Sequence, residues 1–226
     1  MNYLVVVAHP DDEVLGAGAT IYKLVRIGNT VNVCILSKDV NARNNRPSID
    51  QLNDDVDSSL SLLGVNKIYK GNFPNIKFNN VDHLDLVQFI ENVIIDSNTD
   101  IIFTHHPADT NNDHFHTSLA CQAAIRIFQR NPKLNPIKEL LFMEVLSSTD
   151  WSINRSMNPF NPNTFFEVGI DGVNKKIDAL SQYRDVMRPF PHPRSNEVII
   201  GLAAYRGGQS GLIYAEAFES VFRRVI

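Results

Sequence analysis

Val6-Val7-Ala8-His9-Pro10-Asp11-Asp12-Glu13 is the stretch that decides the fold, because an apolar segment there runs directly into an imidazole and three carboxylates. The apolar residues 3–8 predict a buried strand, and residues 14–27 have helical spacing. In an α/β protein, the turn from a strand into a helix directs its side chains into the crevice at the carboxyl edge of the sheet, where ligands bind. Three carboxylates crowded together there repel one another, so the sequence predicts a bound cation.

Apolar runs of strand length alternate with helical patterns along the rest of the chain. We predict strands at 3–8, 30–37, 67–70, 101–104 and 139–145, and helices at 14–27, 50–63, 81–97, 114–130, 171–184 and 195–205. This order predicts an α/β fold with a doubly wound, mainly parallel sheet and helices on both faces. We expect one domain over residues 1–226, with Gly207-Gly208 breaking the chain after the last helix.

Composition excludes several classes of protein. The 226 residues carry a formal net charge of −4, which argues against a general nucleic-acid binder, since such a protein needs a basic face. No apolar run is long enough to cross a bilayer, so we expect no membrane insertion, and the opening residues lack the basic start of a secretory leader. The two cysteines, Cys34 and Cys121, stand in apolar segments and are expected to be buried thiols. These features predict a cytoplasmic protein.

A second polar cluster follows the predicted strand at 101–104. Residues 104–116 hold four of the seven histidines, and the carboxyl ends of parallel strands face one crevice, so His9, Asp12 and His114 can converge on one ion. Two histidines and a carboxylate are a common catalytic zinc set that leaves a position open for water. Asp11 is then the candidate general base, and Glu13 begins the helix, where a negative charge suits the dipole. The alternative is a turn in which Asp11 or Asp12 only caps the helix.

These segments resemble the PIG-L / LmbE-like deacetylase family. Residues 8–13, Ala-His-Pro-Asp-Asp-Glu, match its first motif at every position, and residues 109–114 match its second motif in the outer positions. Residues 206–211 and 214–218 are similar to the closing segment of many members. The resemblance implies a Rossmann-like fold and a zinc-dependent N-deacetylase, with Fe²⁺ as the other candidate metal. Such an enzyme is a hydrolase of linear amides that removes acetyl from an N-acetylglucosamine-type amino sugar.

Carried over by motif, His9, Asp12 and His114 bind the metal and Asp11 is the base that activates the attacking water. Asp113 would hold a neighbouring imidazole. The chain departs from the family at Asn111, where many members carry a histidine assigned to stabilising the oxyanion or protonating the leaving amine. An amide can donate to an oxyanion but cannot act as an acid.

Either another histidine takes the role that Asn111 cannot fill, or the chemistry depends more heavily on the metal. His192 is the first substitute, because the sequence Pro191-His192-Pro193 predicts a rigid loop. His116 and His106 are the next candidates. His116 lies two residues past His114 and so points to a different face of a helix, which favours His114 as the ligand.

Arginines supply the candidate substrate contacts. Arg43 and Arg46, in the polar loop after the second strand, and Arg206 could each clamp a phosphate, a carboxylate or sugar hydroxyls. Arg188 and Arg194 add positive charge near His192, so convergence of these side chains would favour an anionic amino sugar. The aromatic residues between 151 and 166 would suit packing in a homo-oligomer.

Two other functions fit part of the pattern. A catalytically weak or silent protein could keep the metal site and only bind sugar, although a purely structural site needs no base such as Asp11. Two histidines and a carboxylate also ligate non-haem Fe(II) oxygenases, which commonly carry the triad on a β-barrel rather than on βα units. Chelator-sensitive release of acetate distinguishes the hydrolase from both.

Overall fold

A computed structural model describes residues 1–37, 39–40, 47–153 and 158–225. Its strands are β1 (Asn2–Val7), β2 (Thr30–Ser37), β3 (Lys67–Phe73), β4 (Ile101–His105), β5 (Glu139–Met143), β6 (Thr164–Glu167) and β7 (Ala215–Arg223). Its α-helices are α1 (Asp12–Arg26), α2 (Ile49–Leu63), α3 (His83–Ser97), α4 (Asn112–Ala124), α5 (Ile127–Arg130), α6 (Gly169–Leu180) and α7 (Asn196–Ser210). Short 3-10 helices lie at Phe78–Asn80 and Thr149–Trp151.

The strands form one sheet in the order β3-β2-β1-β4-β5-β7-β6. Strands β1 to β5 pair in parallel, whereas β7 runs antiparallel to both β5 and β6. The chain winds from β1 outward to β2 and β3, and then returns to β4 on the other side of β1. The strand order therefore reverses between β1 and β4, and such a switch point opens a crevice beyond the carboxyl ends of the two strands.

Helices cover both faces of the sheet, which confirms the predicted doubly wound α/β fold. Val5 and Val7 of β1 pack on one face with residues of α1, α2, α6 and α7. Leu4 and Val6 pack on the other face with residues of α3 and α4. Because β1 is buried on both faces, its sequence is a continuous apolar run without alternation.

Helix α7 corrects one prediction. It continues through Gly207-Gly208 to Ser210 and ends at Gly211, whose φ is 76°. A Cβ on Gly207 would lie 2.5 Å from the carbonyl oxygen of Ile213, so this glycine allows the chain after the helix to pack closely rather than breaking the helix. The helix predicted at 114–130 is also divided, into α4 and α5.

Strands β6 and β7 were not predicted, and they complete the sheet beyond β5. Cys34 and Cys121 are free and buried, as expected. Within the described ranges, no helix is both long and apolar enough to cross a membrane.

Candidate metal and catalytic site

The predicted ligands meet at the switch point of the sheet. His9 lies in the turn after β1, Asp12 is the first residue of α1, and His114 lies in the first turn of α4. All three side chains border a cavity of about 220 Å³, which Asp11, Asn111, Ser147, Ser148 and Arg194 also line. The strand–helix turns of β1 and β4 thus bring together residues that are 105 positions apart in the sequence, from His9 to His114.

The candidate ligand atoms are close enough to share one ion. Oδ2 of Asp12 lies 3.2 Å from Nδ1 of His9 and 3.0 Å from Nε2 of His114. One donor atom from each residue lies within 4.8 Å of the other two. Both ring nitrogens of His114 are buried, and neither has hydrogen-bond geometry to a described residue. The buried Nε2 of His114, which faces Asp12 without a hydrogen bond, fits a divalent cation bound by both residues.

A carboxylate lies behind each of the two candidate histidine ligands. Oδ2 of Asp113 lies 2.9 Å from Nε2 of His9, which leaves Nδ1 toward the ligand cluster. The same carboxylate accepts the backbone N–H groups of Ile76 at 2.6 Å and Phe78 at 2.9 Å, so it is itself held firmly. Hydrogen-bonded carboxylates of this kind orient metal-binding imidazoles and fix their tautomer.

Asp109 has the corresponding place behind His114, and the sequence analysis gave it no role. Its Oδ2 lies 3.0 Å from Nδ1 of His114. The carboxylate of Asp109 accepts hydrogen bonds from the hydroxyls of Ser148 and of Thr149, the latter at 2.7 Å. Its position as the first residue of the second motif was the one signal that pointed to it.

The charges of the cluster are strongly coupled. Burial opposes protonation of His114, but the carboxylates of Asp12 and Asp109 overcome it and raise the pKa of His114 to about 10. Burial likewise opposes ionisation of Asp109, yet His114 lowers its pKa to about 2. The carboxylates of Asp12 and Asp109 therefore favour a positive charge between them, and a divalent cation would supply such a charge in place of the proton.

His105 is a second residue that the sequence analysis missed. Its ring stacks on that of His114 with centroids 3.7 Å apart, and its Nε2 accepts the N–H of Ala8 at 2.9 Å. Burial and the neighbouring His114 lower the pKa of His105 to about 3, which keeps the ring neutral. A neutral ring that accepts from the end of β1 helps to hold the turn that carries His9.

Asp11 stands beside the ligands in a strained backbone conformation. It is the N-cap residue of α1, with φ of 100°. Residues other than glycine rarely adopt such a value, and those that do cluster at functional sites. Its backbone N–H donates to Oε2 of Glu13 at 3.1 Å, and its Oδ2 accepts from Nη1 of Arg194 at 3.1 Å. The backbone and the carboxylate of Asp11 are therefore each fixed by a separate side chain.

Glu13 does more than begin a helix. It is completely buried and accepts the hydroxyl of Tyr183 as well as the N–H of Asp11. Burial raises the pKa of Glu13 to about 8, although the bond from Tyr183 opposes the shift. Its side chain thus holds the peptide of Asp11 instead of facing solvent at the helix start.

Asn111 and the three histidines considered for stabilising the oxyanion or protonating the leaving amine lie in different places. Asn111 lines the cavity and caps α4, since its Oδ1 accepts the N–H of Asp113 at 2.9 Å. His192 is exposed and lines an adjoining cavity of about 470 Å³. His106 is buried at 3.3 Å from Glu219, and His116 is half-buried on α4; neither borders the cavity of the ligands.

The candidate substrate arginines are not brought together in the described residues. Arg206 forms a fork to Glu144, with distances of 2.8 and 2.7 Å, and borders another cavity. Arg43 and Arg46 lie outside the residues that the structure describes. Arg194, which the sequence analysis counted only as charge near His192, instead reaches Asp11.

Comparisons with solved structures show the fold. N,N'-diacetylchitobiose deacetylase from Pyrococcus horikoshii has a TM-score of 0.77 at 19% identity, covering 97% of this chain and 83% of its own. The zinc-inhibited form of the teicoplanin deacetylase Orf2 has a TM-score of 0.75 at 15% identity, covering 99% of both chains. GalB, the 4-carboxy-2-hydroxymuconate hydratase from Pseudomonas putida KT2440, has a TM-score of 0.76 at 20% identity, covering 100% of this chain and 98% of its own. One fold thus carries two classes of reaction.

The sequence comparison identifies the family. No curated protein sequence matches this chain significantly. The family model PIG-L, described as GlcNAc-PI de-N-acetylase, matches residues 4–125, which is more than half of the chain and includes His9, Asp11, Asp12 and His114. By this match, the chain belongs to the PIG-L family.

Proposed function

We propose that this protein is a metal-dependent N-deacetylase that removes acetyl from an N-acetylglucosamine-type amino sugar. The convergence of His9, Asp12 and His114 on one point, with Asp11 beside them, carries the proposal. Membership of the PIG-L family supports a deacetylase, and two of the structural neighbours described above are named deacetylases. The cavity of about 220 Å³ suits the acetamide end of a sugar rather than a whole oligosaccharide.

A cation at this site would polarise the acetamide carbonyl and acidify a water at neutral pH. His9, Asp12 and His114 would hold it, and Asp113 and Asp109 would keep the two imidazoles oriented. Nitrogen and oxygen donors in this ratio suit Zn²⁺, and they also suit Fe²⁺. We propose Zn²⁺ as the first candidate. Because one structural neighbour is described in a zinc-inhibited form, the assay has to vary the concentration of the metal.

Asp11 would take a proton from the attacking water as the new C–O bond forms. The amide nitrogen needs a proton when its bond to the acetyl carbon breaks, and Asp11 would return the proton that it has taken. The Nδ2 group of Asn111 would donate to the developing oxyanion, because its Oδ1 is already used to cap α4. The products are acetate and the free amino sugar, with one water consumed.

Acetate release from a panel of N-acetylglucosamine derivatives tests this function. The protein would be assayed after chelation and again with Zn²⁺, Fe²⁺, Co²⁺ or Mn²⁺ added back at graded concentrations. We expect chelation to abolish release, one metal to restore it, and Asp11→Asn to lower kcat by about 10²–10⁴-fold, the usual contribution of general acid–base catalysis. Asp57→Asn, a matched change at an exposed helical carboxylate, leaves the rate unchanged.

The rival functions predict other results. A hydratase like GalB would add water to a carbon–carbon double bond and release no acetate. A sugar-binding protein would bind members of the panel and release none. Chelator-insensitive release, or an Asp11→Asn variant as active as the wild type, would contradict the proposed mechanism.

A further inference from the structure

We propose that Arg194 is a positioning residue for Asp11, held in place by Ser147. The inference rests on the proposed function, because it concerns the residue assigned there as the base. The described part of the chain links the three side chains in one line: Nε of Arg194 donates to Oγ of Ser147 at 2.9 Å, and Nη1 donates to Oδ2 of Asp11 at 3.1 Å. We name this line of three residues the arginine clamp.

The arginine clamp lies in the wall of the metal cavity. Ser147, Arg194 and Asp11 all line the cavity that His9, Asp12 and His114 border. Arg194 keeps only 24% of its side chain exposed, and Asp11 keeps 5%. A partly buried ion pair is screened less by solvent than a surface pair, so its geometry is better fixed.

Both anchors of Arg194 have unusual backbones. Asp11 has φ of 100° and Ser147 has φ of 69°, although neither residue is a glycine. Each such conformation is energetically unfavourable and persists where the surrounding contacts determine it, which is most often at functional sites. An ordinary surface ion pair requires no backbone strain. Strain at both residues that bind the guanidinium of Arg194 therefore favours a functional role for Arg194 in the site.

The loop that carries Arg194 is itself fixed. The backbone N–H of Arg194 donates to Nδ1 of His192 at 3.0 Å, and its carbonyl accepts from Arg188 at 3.3 Å. The next residue, Ser195, is buried and caps α7 through a bond from Val198 at 3.3 Å. Because Arg194 directly precedes a capped helix, its backbone is fixed, and its guanidinium can keep the carboxylate of Asp11 in one orientation.

The chemistry of arginine defines what the clamp contributes. A guanidinium stays protonated at every working pH, so Arg194 can donate hydrogen bonds but cannot serve as the acid that Asn111 is unable to be. It acts through Asp11, by fixing the direction of one carboxylate oxygen. Asp11 is then held at both ends, since Glu13 holds its backbone and Arg194 its side chain.

Steady-state kinetics of Arg194→Ala and Arg194→Lys test the clamp with the full, metal-loaded chain. A misplaced catalytic group costs about 10²-fold in rate, so we expect Arg194→Ala to lower kcat by that factor while KM changes little. Lysine keeps the charge but loses the fork that spans both partners, so Arg194→Lys recovers only part of the loss. Millimolar guanidinium chloride should restore activity to Arg194→Ala, whereas urea at the same concentration should not.

Arg126→Ala is the matched control, since Arg126 is exposed between α4 and α5 and lines neither the metal cavity nor the adjoining one. It should keep the wild-type kcat and show no response to guanidinium. A raised KM with unchanged kcat in Arg194→Ala would make Arg194 a substrate-binding group and overturn the proposal. An unchanged rate, or a loss that guanidinium does not restore, would overturn it too.

A second measurement separates failure of the clamp from failure of the proposed function. If the wild type releases no acetate from any sugar, the function fails, and the clamp is then judged by urea unfolding of Arg194→Ala, Asp11→Asn and the double variant. Coupled residues give shifts in the unfolding midpoint that do not add. Additive shifts would overturn the clamp whatever the protein catalyses.

Discussion

Glu13 shows how a single buried side chain can serve both the fold and the site. Its two oxygens accept one hydrogen bond each, from the hydroxyl of Tyr183 and from the backbone of Asp11. A carboxyl group without partners is expensive to bury, so Tyr183, itself buried on the α6–α7 side, is needed to keep Glu13 in place. The contact joins residues 170 positions apart and could not be read from the local sequence.

Tyr183→Phe should therefore destabilise the protein by about 1–3 kcal/mol, the usual cost of leaving a buried polar group without its partner. Urea unfolding at neutral pH measures the change. Tyr22→Phe is the control, because the hydroxyl of Tyr22 accepts a hydrogen bond from the exposed Arg26, and this variant should stay within about 0.5 kcal/mol of the wild type. Equal stability of the two variants would show that Glu13 does not depend on Tyr183.

The candidate site could be predicted at those residues whose chemistry is local. His9, Asp11 and Asp12 stand together at a strand end, and His114 follows another strand of the same sheet. Arg194 could not be predicted in this way, because its contact with Asp11 spans 183 positions and depends on where β5 and α7 place their loops. The role of His105 could not be predicted for another reason. The sequence pattern around a histidine at the end of a buried strand is the same whether that histidine binds a metal or supports a neighbouring residue.

Helix α1 is interrupted near its middle, and side chains from other elements form hydrogen bonds with its backbone there. At Ala17 the backbone leaves the helical conformation, with φ of −144° and ψ of 15°. Nζ of Lys176 on α6 donates to the carbonyl of Leu15 at 2.7 Å, and Glu216 on β7 accepts the N–H of Thr20 at 2.7 Å. Lys176 and Glu216 also pair with each other at 2.7 Å. The pair thus satisfies backbone groups that the break leaves open in the helix that begins with Asp12.

Removing either member should destabilise the protein strongly. Lys176→Met or Glu216→Leu leaves one buried charge without its partner, which costs about 3–5 kcal/mol. The double variant is the informative one. A simple buried ion pair can be replaced by apolar residues at little cost, but here the carbonyl of Leu15 and the N–H of Thr20 would also lose their partners, so the double variant should stay destabilised.

Urea unfolding of the three variants measures this effect. The pair of half-buried Lys175 and exposed Asp178 on α6 is the control, and its removal should cost about 0–1 kcal/mol. A double variant as stable as the wild type would show that the pair is an ordinary ion pair with no role at the break in α1.

Strands β1, β2, β4 and β5 could be predicted because they are buried on both faces and appear as apolar runs. Strand β3 lies at the edge of the sheet, is mostly exposed or half-buried, and was predicted only over residues 67–70. Strands β6 and β7 gave a weaker pattern: β6 has four residues, none of them buried, and the last residues of β7 are exposed. Their place is set by antiparallel pairing with β5 and with each other, which no local pattern records. Gly207 was misread for the same reason, since its function depends on the close approach of Ile213.

At the scale of the whole molecule, the site is shared between two parts of the chain. The family model covers residues 4–125, which hold the candidate ligands and the base. Arg194, Tyr183, Lys176 and Glu216 come from beyond that region, and each supports the turn or the helix that carries Asp11 and Asp12. We therefore expect the second part of the chain to set the geometry of a centre whose ligands belong to the first.

A bound ion should stabilise the whole fold, because its ligands come from separate elements, the β1–α1 turn and α4. An ion at a hundred times its Kd adds about 2.7 kcal/mol of stability, which corresponds to a rise in Tm of about 5–10 °C for a chain of this size. Thermal unfolding of the chelated protein, with and without each divalent metal, measures the rise and needs no substrate.

Two variants of adjacent carboxylates make that measurement specific. Asp12→Asn weakens a ligand and should lose most of the metal-dependent rise in Tm, whereas Asp11→Asn leaves all three ligands in place and should keep it. Acetate release from the same two proteins should be lost in both, because one lacks a firmly held ion and the other lacks the base. If Asp11→Asn lost the rise in Tm as fully as Asp12→Asn, Asp11 would have to be a ligand, and the division of roles between the two neighbouring carboxylates would be wrong.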